Sequence, residues 1–577
     1  MNRSRILYLC TVTLLLPLLS SAQQVDLEHI GDKFKFGKGS PLKVNGGLNA
    51  STVFNSGSGG GRQPFSWFLN GSLNTSILGQ VSLPFSFHLT NAGAGYSYPT
   101  MPNRLSLHPS YKGVTAHIGD VAMSFSPYTL NGHQFTGVGL DIAPQQNWSI
   151  SMMYGRLLRA ADYDSTNRSI LPTYQRMGYG AKLALMQPTY ALSVSFLRAK
   201  DLKDPLQYLP DTLHIFPKEN LAVSIAGMLR PAKGLEFTLE YANSAIKLDK
   251  RDNYGPVKAG SGNLLEDVFM YDARNTLYFK AIKAGMNYAF HKSVIGLGYE
   301  RIDPGYQTLG TYYMNNDLEN ITVNLSQPLL HDKATISGSV GYQHDDLNHT
   351  KAGATFRMVS AVNANYMPNE KWNANFTYSN FQTYTHIKPQ FDYINQVNPY
   401  ENMDTLNFKQ ISQSAGLTLG YILKANKTKS HNINLNLSVQ DAADIQNNVL
   451  WKGNGSRFYN TSTAYTLLLI QRQMSFTGAV NLSYNTIGRD DFLTLGPTLG
   501  MNARLFKKKV TAGFTTSYNT SANNGQQQGQ VLNLRMNAAY MFMKKHNLNM
   551  NAVHQTRWTS RGTASNVTAT VGYNYSF

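Results

Sequence analysis

The sequence has very little cysteine and little charge. Cys10 is the only cysteine among 577 residues, and it lies within an apolar stretch near the N-terminus. Beyond that stretch the chain has no thiol for a disulfide, a thiolate metal site or a cysteine nucleophile. Charged residues make up 15% of the sequence, against about one quarter in typical soluble domains. The composition therefore argues against a disulfide-stabilised domain and against an ordinary cytosolic enzyme.

The sequence has no apolar run long enough to span a membrane as a helix, and its longest apolar run lies near the N-terminus. Arg3 and Arg5 precede an apolar run over residues 6–19, which is followed by Ser20-Ser21-Ala22. This order of charged, apolar and small residues is typical of a secretory signal peptide, and the run is shorter than the ~20 residues of a membrane-spanning helix. We therefore predict three segments: a signal peptide over 1–22, a short periplasmic segment over 23–41 and a membrane domain over 42–577.

Apolar and polar residues alternate along most of the remaining chain. In the last segment, Val567, Ala569, Val571, Tyr573, Tyr575 and Phe577 alternate with small or polar residues. A period of two is that of a β-strand with one apolar and one polar face. The alternating segments run to roughly 10–15 residues, which is long for soluble strands. Many end in Tyr, Trp or Phe, as expected at a membrane interface.

The connections between these segments alternate between short and long. About 26 candidate strands lie between Leu42 and Phe577, and every other connection is a turn of a few residues. That layout is typical of an outer-membrane barrel, in which closure removes the unpaired sheet edges that lipid cannot satisfy. We predict an all-β fold, a single closed transmembrane antiparallel β-barrel of about 26 strands, with both termini in the periplasm of a Gram-negative cell. Pro497 lies within one alternating run, so we expect a bulge or local break there.

The predicted barrel is too wide to stand open. Strands about 4.8 Å apart and tilted about 40° give a diameter of roughly 50 Å, and such a hole would destroy the outer-membrane barrier. We expect the lumen to be narrowed by inward loops, by flattening or by a partner protein. The candidate inward loops are 201–218, 248–274, 385–405 and 441–459.

Motifs for catalysis, cofactors and resident metals were not found in the sequence. It contains no HExxH, GxSxG or Walker sequence, so we expect no enzyme activity and no cofactor. Some basic residues fall at inward positions of the alternating segments, and we take them as candidate lumen-facing residues: Arg176, Lys182, Lys283, Arg357, Arg504 and Arg535. They would favour anionic solutes in the lumen, or they are isolated charges that are solvated or paired with acids of the loops.

The net charge is +18, and many of the lysines fall in the short turns. A basic rim is favourable next to anionic lipid headgroups. We therefore expect outer-membrane lipids as partners and no nucleic acid, because secretion and the strand period both oppose nucleic-acid binding. A lumen-filling or periplasmic partner protein is a further option.

Three sequence patterns resemble known families. Tyr573-x-Tyr575-x-Phe577 resembles the β-signal that the barrel-assembly machinery recognises, which implies that machinery as a partner. The section from Ile30 to about Arg159, with Pro41-Leu42-Lys43-Val44, Leu107-His108-Pro109-Ser110-Tyr111-Lys112 and Gly119-Asp120, resembles large outer-membrane barrels of Bacteroidota. Gly119-Asp120 followed by Phe135 and Gly137-Val138 also resembles a strand pattern of pilus ushers. The usher plug has no counterpart, so usher function does not carry over, but the resemblance favours a lumen that handles polypeptide.

Three functions remain open from the sequence. The first is a channel or conduit for a large solute or polypeptide, constricted by loops or a partner. The second is a diffusion porin for small polar or anionic solutes. The third is a non-conducting scaffold or surface-binding protein of the outer membrane.

Overall fold

The fold was analysed in a computed structural model of the chain. It describes residues 42–57, 63–92, 103–144, 147–163, 172–202, 209–210, 213–250, 276–350, 356–380, 383–386, 408–442, 445–446, 449–450, 456–487, 490–560 and 562–577. The predicted signal peptide (1–22) and the segment 23–41 lie outside the described residues, so these two predictions stay untested.

Within these ranges the chain forms β-strands in the following order: β1 (Leu42–Gly57), β2 (Phe65–Ile77), β3 (Val81–Thr90), β4 (Arg104–Leu107), β5 (Ser110–Tyr111), β6 (Val114–Ser124), β7 (Asn131–Ile142), β8 (Trp148–Leu158), β9 (Arg176–Met186), β10 (Tyr190–Asp201), β11 (Glu219–Ala232), β12 (Leu235–Lys247), β13 (Thr276–Phe290), β14 (Ser293–Ile302), β15 (Leu318–Leu329), β16 (Ala334–His344), β17 (Phe356–Tyr366), β18 (Trp372–Ser379), β19 (Thr383–His386), β20 (Phe408–Ala425), β21 (Lys429–Ala442), β22 (Ile445–Gln446), β23 (Val449–Leu450), β24 (Ser456–Leu469), β25 (Met474–Ile487), β26 (Asp490–Leu505), β27 (Val510–Asn523), β28 (Gln526–Phe542), β29 (His546–Thr559) and β30 (Gly562–Ser576).

The strands form one closed antiparallel barrel. All but the small β22–β23 hairpin belong to a single 28-stranded sheet, and β1 pairs with β30 to close it. β4 and β5 share one position between β3 and β6, and β18 and β19 both pair with β20. The wall therefore has 26 strand positions, which confirms the predicted architecture and strand number.

The two ends of the barrel differ. One end, the turn end, carries the short connections, for example the turns at Leu78-Gly79 and Lys507-Lys508, where the backbone takes positive φ values. The other end, the loop end, carries the longer connections. Leu42 pairs with Ile77 beside a short turn, and Phe577 exchanges backbone hydrogen bonds with Gly46. Both described chain ends thus lie at the turn end, and its periplasmic orientation remains a prediction.

The outer face of the wall is apolar. Leu239, Ile321 and Leu499 are between 56% and 63% exposed on the isolated chain. They alternate along their strands with inward residues that are small or polar. Soluble proteins rarely expose a continuous apolar surface of this kind, whereas a closed barrel with an apolar outer band is the transmembrane form found in outer membranes. This confirms the predicted localisation in the Gram-negative outer membrane.

Aromatic side chains lie on the outer face toward both ends. Trp372 and Tyr421 are 4.3 Å apart between ring centroids, and Tyr288 stacks on Phe290, near the turn end. Tyr459 and Tyr484 form a similar pair nearer the loop end. Aromatic rings are favourable at the two lipid–water interfaces, so these pairs fit a membrane band between them.

Pro497 lies within a continuous strand. β26 pairs with β25 throughout, including Val480 with Pro497. On the β27 side the pairing is interrupted between Leu495 and Thr498, but the register is the same before and after the interruption. Of the two expected irregularities, a bulge or a local break, the structure shows a local break on the β27 side, because proline removes one N–H without inserting a residue.

Candidate functional site in the barrel lumen

Two connections at the loop end fold into the lumen, and we call them the inward loops. They comprise residues 125–130 and 303–317. Tyr128 and Tyr306 are 2% and 1% exposed, and Leu130 is fully buried. Leu130 and Gly310 form a β-bridge that joins the loops. Neither was among the four loops expected to fold inward, which were 201–218, 248–274, 385–405 and 441–459. Most of 248–274 and 385–405, and parts of 201–218 and 441–459, lie outside the described residues, so an inward position of these four loops stays a prediction.

Small side chains on the wall make room for the inward loops. Ser195, Ser224, Ala242 and Ala281 are consecutive partners across four neighbouring strands and face the lumen. Tyr128 packs in a cluster with Ala242 and Ala281. Larger side chains at these four positions would occupy the space of the Tyr128 ring. The small wall residues therefore determine where the loop can pack.

A second apolar cluster lies beside the first. Leu130 and Leu309 of the inward loops pack with Leu197, Ala199 and Ile246 of the wall. These wall residues face the lumen, where water would otherwise contact them. Burying each large aliphatic side chain is worth about 1.5–3 kcal/mol, so the inward loops are held to the wall by a hydrophobic core inside the barrel.

Hydrogen bonds fix the first inward loop to charged residues of the wall. The Tyr128 hydroxyl donates to Glu300 Oε1 at 2.6 Å, and Lys182 Nζ donates to the carbonyl of Phe125 at 2.8 Å. The Ser126 hydroxyl donates to Glu240 Oε1. Hydrogen bonds with one charged partner are stronger than neutral ones, so these contacts define the loop position as well as the apolar clusters do.

The two inward loops also bind each other and the wall. The Tyr306 hydroxyl donates to the Tyr128 carbonyl at 2.9 Å, and the Thr308 hydroxyl donates to the Thr129 carbonyl at 2.8 Å. The amide of Leu309 donates to the side chain of the fully buried Asn220 at 3.0 Å. The second loop thus covers the first and closes it against the wall.

Burial keeps the two loop tyrosines neutral. It raises the pKa of Tyr128 far above the ordinary phenol value, and the nearby Glu300 carboxylate raises it further. Burial also raises the pKa of Tyr306, with a smaller contribution from Glu240. Both phenols therefore remain hydrogen-bond donors at any pH near neutrality.

Three of the predicted basic residues lie together on this side of the lumen, each with an acceptor. Arg176 binds Asp201 through two nitrogens, at 2.7 and 3.1 Å. Lys182 is bonded to the first inward loop, and Lys283 Nζ is 3.9 Å from Glu300 Oε1. Arg176 and Lys283 thus lie beside carboxylates of the wall strands, and Lys182 donates to a backbone carbonyl. A role of these residues in attracting anionic solutes remains a prediction.

The other three predicted residues lie elsewhere. Arg535 lines a lumen-side pocket of about 280 Å³ with Asn533 and Thr498. Arg504, near the turn end, is in register with Thr511. Arg357 belongs to β17 and pairs with Gln343, but its side chain lies outside the described residues. The structure therefore does not bring the six predicted residues into one site.

Uncharged polar side chains line the opposite wall. Asn481 donates to Thr498 at 3.2 Å and accepts from Ser462 at 2.8 Å. Gln555 donates to Asn533 at 3.0 Å, and Asn533 donates to Ser517 at 3.1 Å. These bonds run across neighbouring strands and give partners to the buried amides of Asn481, Asn533 and Gln555. The described wall on this side is therefore polar, while the opposite side carries the inward loops.

Sequence reasoning missed the acidic residues of the lumen. Glu240, Glu300 and Asp201 occupy the same inward positions of the alternating strands as the basic residues that were singled out. Reading both signs of charge along the inward face would have found them. A cluster of His108, His117 and Asp141 was missed for another reason, because its members come from three strand segments that only the barrel register brings together.

The predicted β-signal lies at the turn end beside the closing seam. The Tyr573 hydroxyl and His546 Nδ1 are hydrogen-bonded at 2.6 Å. The rings of Tyr575 and Phe577 stack with their centroids 5.3 Å apart. Tyr575 also pairs with Leu48 of β1 in the closing ladder. Recognition of these residues by the assembly machinery remains a prediction.

Metal sites and membrane-spanning helices are both absent from the described part of the chain. Its side chains form no group of three or more His, Cys, Asp or Glu placed to hold a metal ion. Among the same residues there is no helix with the length and apolar character to cross a bilayer.

Comparison with known proteins gives the following. No family model and no curated protein matches the sequence. Among solved structures, the translocation pore of the P pilus usher PapC is 8% identical, with 93% of this chain and 99% of that chain covered and a TM-score of 0.37. The FrpB iron transporter from Neisseria meningitidis (F3-3 variant) is 10% identical over 92% and 81% of the chains, with a TM-score of 0.36. An anion-selective porin from Comamonas acidovorans is 12% identical over 53% and 94%, with a TM-score of 0.27. Similarity at this level carries no argument about function, so the architecture rests on the strand pairing described above.

Proposed function

We propose that this protein is an outer-membrane transport barrel, a conduit for large polar solutes or polypeptides whose passage is narrowed by the inward loops. The observation that carries the proposal is the burial of Tyr128, Leu130 and Tyr306 inside the barrel. A wall of 26 strand positions encloses far more space than a small-solute pore needs. Loops that form a core within that space reduce the cross-section of the passage.

The charge distribution supports a conduit without strong anion preference. The positive charges of Arg176 and Lys283 lie beside Asp201 and Glu300. The opposite wall offers amides and hydroxyls, as at Asn481 and Ser462. Such a surface favours polar solutes that are positive, negative or uncharged, so these contacts of the described wall do not favour the anion-porin alternative.

The proposal is tested by conductance and size exclusion. The detergent-purified barrel is inserted into planar bilayers, and single-channel currents are measured with neutral polyethylene glycols of increasing length. A conduit gives current steps, and polymers that fit the passage lower the current until a cut-off length is reached. Absence of conduction in the wild type and in variants with released inward loops would leave only the scaffold interpretation. Co-purification in a mild detergent shows whether a partner protein occupies the lumen.

A further inference from the structure

The lumen wall contains a cavity of about 700 Å³ on the turn-end side of the inward loops. Its lining runs across β9–β16, and Pro127 of the first inward loop forms its upper edge. This volume lies within the range of small-molecule sites, roughly 300–1,000 Å³. The cavity adjoins the contacts that hold the first inward loop and shares Lys182, Glu240 and Glu300 with them.

The floor of the cavity is a shallow groove, which we call the inner trough. Thr238, Gly285, Gly298 and Thr322 are lumen-facing, consecutive cross-strand partners that line the cavity. Gly341 on the next strand continues the same row beyond the cavity, so the trough spans five neighbouring strands. Neighbouring strands lie about 4.8 Å apart, so the trough is about 19 Å long. A Cβ on Gly285 or Gly298 would lie 2.7 Å from the hydroxyl of the neighbouring threonine. The two threonine hydroxyls therefore lie against the glycine backbone, where any side chain larger than that of glycine would clash with them.

Charged residues of both signs form the edge of the trough on the side of the inward loops. Glu240, Lys283 and Glu300 are consecutive cross-strand partners, each two residues from the trough on its own strand. Lys283 is 57% exposed, and its ammonium is 3.9 Å from Glu300, beyond hydrogen-bond distance. With Lys182 the edge carries two positive and two negative charges, so its net charge is zero.

The opposite edge of the trough is uncharged. Asn287, Gly296, Asn324 and Ser339 are consecutive partners on β13–β16. Their amides and hydroxyl can both donate and accept hydrogen bonds. The trough thus has hydrogen-bonding groups on both sides and at both threonines.

The backbone of the wall has no free sheet edge for a ligand in this region. Each of β12–β16 pairs with a neighbour on both sides. Recognition of an extended peptide by strand addition needs a free sheet edge, and this region has none. Only side chains can recognise a solute in the trough, and they offer many neutral donors and acceptors with no net charge.

We infer that the inner trough binds neutral polyhydroxylated chains, that is, oligosaccharides. Adjacent hydroxyls of such a ligand can donate to the carboxylates of Glu240 and Glu300 and accept from Lys283 and from Asn324. The lumen-facing residues of the described lining include no aromatic ring, so affinity comes from hydrogen bonds exchanged with water, and the dissociation constant is on the order of millimolar. As a statement about the transported solute, the inference rests on the proposed function, but binding itself does not require conduction.

Binding is measured by titration calorimetry on the full barrel, in a detergent without a sugar head group. The probes are maltopentaose and cellopentaose, two neutral oligosaccharides of different shape, with the zwitterion triglycine for comparison. At least one oligosaccharide binds, and triglycine binds more weakly. Because the assay needs no current, its failure leaves the conduit proposal standing, and failure of conduction leaves the binding result standing.

Variants locate the binding in the trough. Thr322→Val keeps the shape of the side chain and removes one hydroxyl, and Lys283→Met removes the exposed ammonium. Each weakens oligosaccharide binding by about tenfold. Thr515→Val is the matched control, because Thr515 faces the lumen on the opposite wall, and it leaves binding unchanged. Heat-dependent migration in gels shows that each variant is a folded barrel.

Three results would overturn the inference. They are the absence of binding by both oligosaccharides, equal binding by wild type and both trough variants, and tighter binding of triglycine than of either sugar. The last result would indicate a zwitterion site formed by the charged edge.

Discussion

Release of the first inward loop is the sharpest test of how the lumen is narrowed. Tyr128 contributes a buried ring, a hydrogen bond to Glu300 and an acceptor carbonyl for Tyr306. Tyr128→Ala removes the ring and the phenol, and truncation of a buried aromatic costs about 3–5 kcal/mol. Since each 1.4 kcal/mol is about a factor of ten, the population with the loop released rises by about two to three and a half orders of magnitude.

Tyr128→Phe separates the hydrogen bond from the packing. This variant keeps the ring and removes the donor to Glu300, which costs about 1–2 kcal/mol. The released population therefore rises by about tenfold. Tyr313→Ala is the matched control, because Tyr313 lies in the second inward loop but is 51% exposed, and it changes the released population little.

The only cysteine of the chain lies within the predicted signal peptide, so a single introduced cysteine can report on the loop. Thr308→Cys places a thiol that is nearly buried in the closed arrangement, since Thr308 is 3% exposed. When reclosing is faster than labelling, the maleimide reaction rate is proportional to the released population. The rate rises in the order control, Tyr128→Phe, Tyr128→Ala, and single-channel conductance rises in the same order. Equal labelling rates in all three would refute the packing of Tyr128 against the wall.

Three further results are expected. Asp201→Asn leaves the largely buried Arg176 without its carboxylate partner, which lowers the free energy of unfolding by about 3–5 kcal/mol. The unfolding midpoint in urea falls accordingly, and adding Arg176→Met to the same chain restores part of the lost stability. Gly310→Ala brings a Cβ to within 2.4 Å of a loop carbonyl and releases the loops in the labelling assay, whereas Gly227→Ala, with its nearest contact at 3.9 Å, leaves labelling unchanged. The raised pKa values of the two buried phenols of the inward loops mean that the released state loses protons above pH ~10 while the closed state keeps them. The loops are therefore most stable below that pH, and labelling rises from pH 10 to 11; a flat profile would contradict the burial of these phenols.

The alternating pattern was sufficient to predict the barrel, because lipid demands an apolar face on every strand and closure of every edge. It gave the strand number and the short turns at one end. It could not predict which loops fold inward, because that depends on cross-strand neighbours. Ala242 and Ala281 are 39 residues apart in sequence, and only the register places them side by side beneath Tyr128. The basic residues were found singly, and their acidic partners, such as Asp201, emerged only with the pairing of β9 and β10.

The same register explains why the two halves of the lumen differ. Where the wall presents small residues, as at Ser195 and Ala242, a loop can approach the backbone and bury its own apolar side chains. Where the wall presents a ladder of bonded amides and hydroxyls, as at Asn481 and Asn533, an apolar loop would have to displace satisfied hydrogen bonds at a cost of about 1–3 kcal/mol for each buried group left without a partner. The described inward loops therefore occupy one side of the wall. For the proposed conduit we expect the passage on the polar side, with the polar ladder on one side of the solute and the charged edge of the inner trough on the other, so that the residue sizes and polarities of the wall would determine the path.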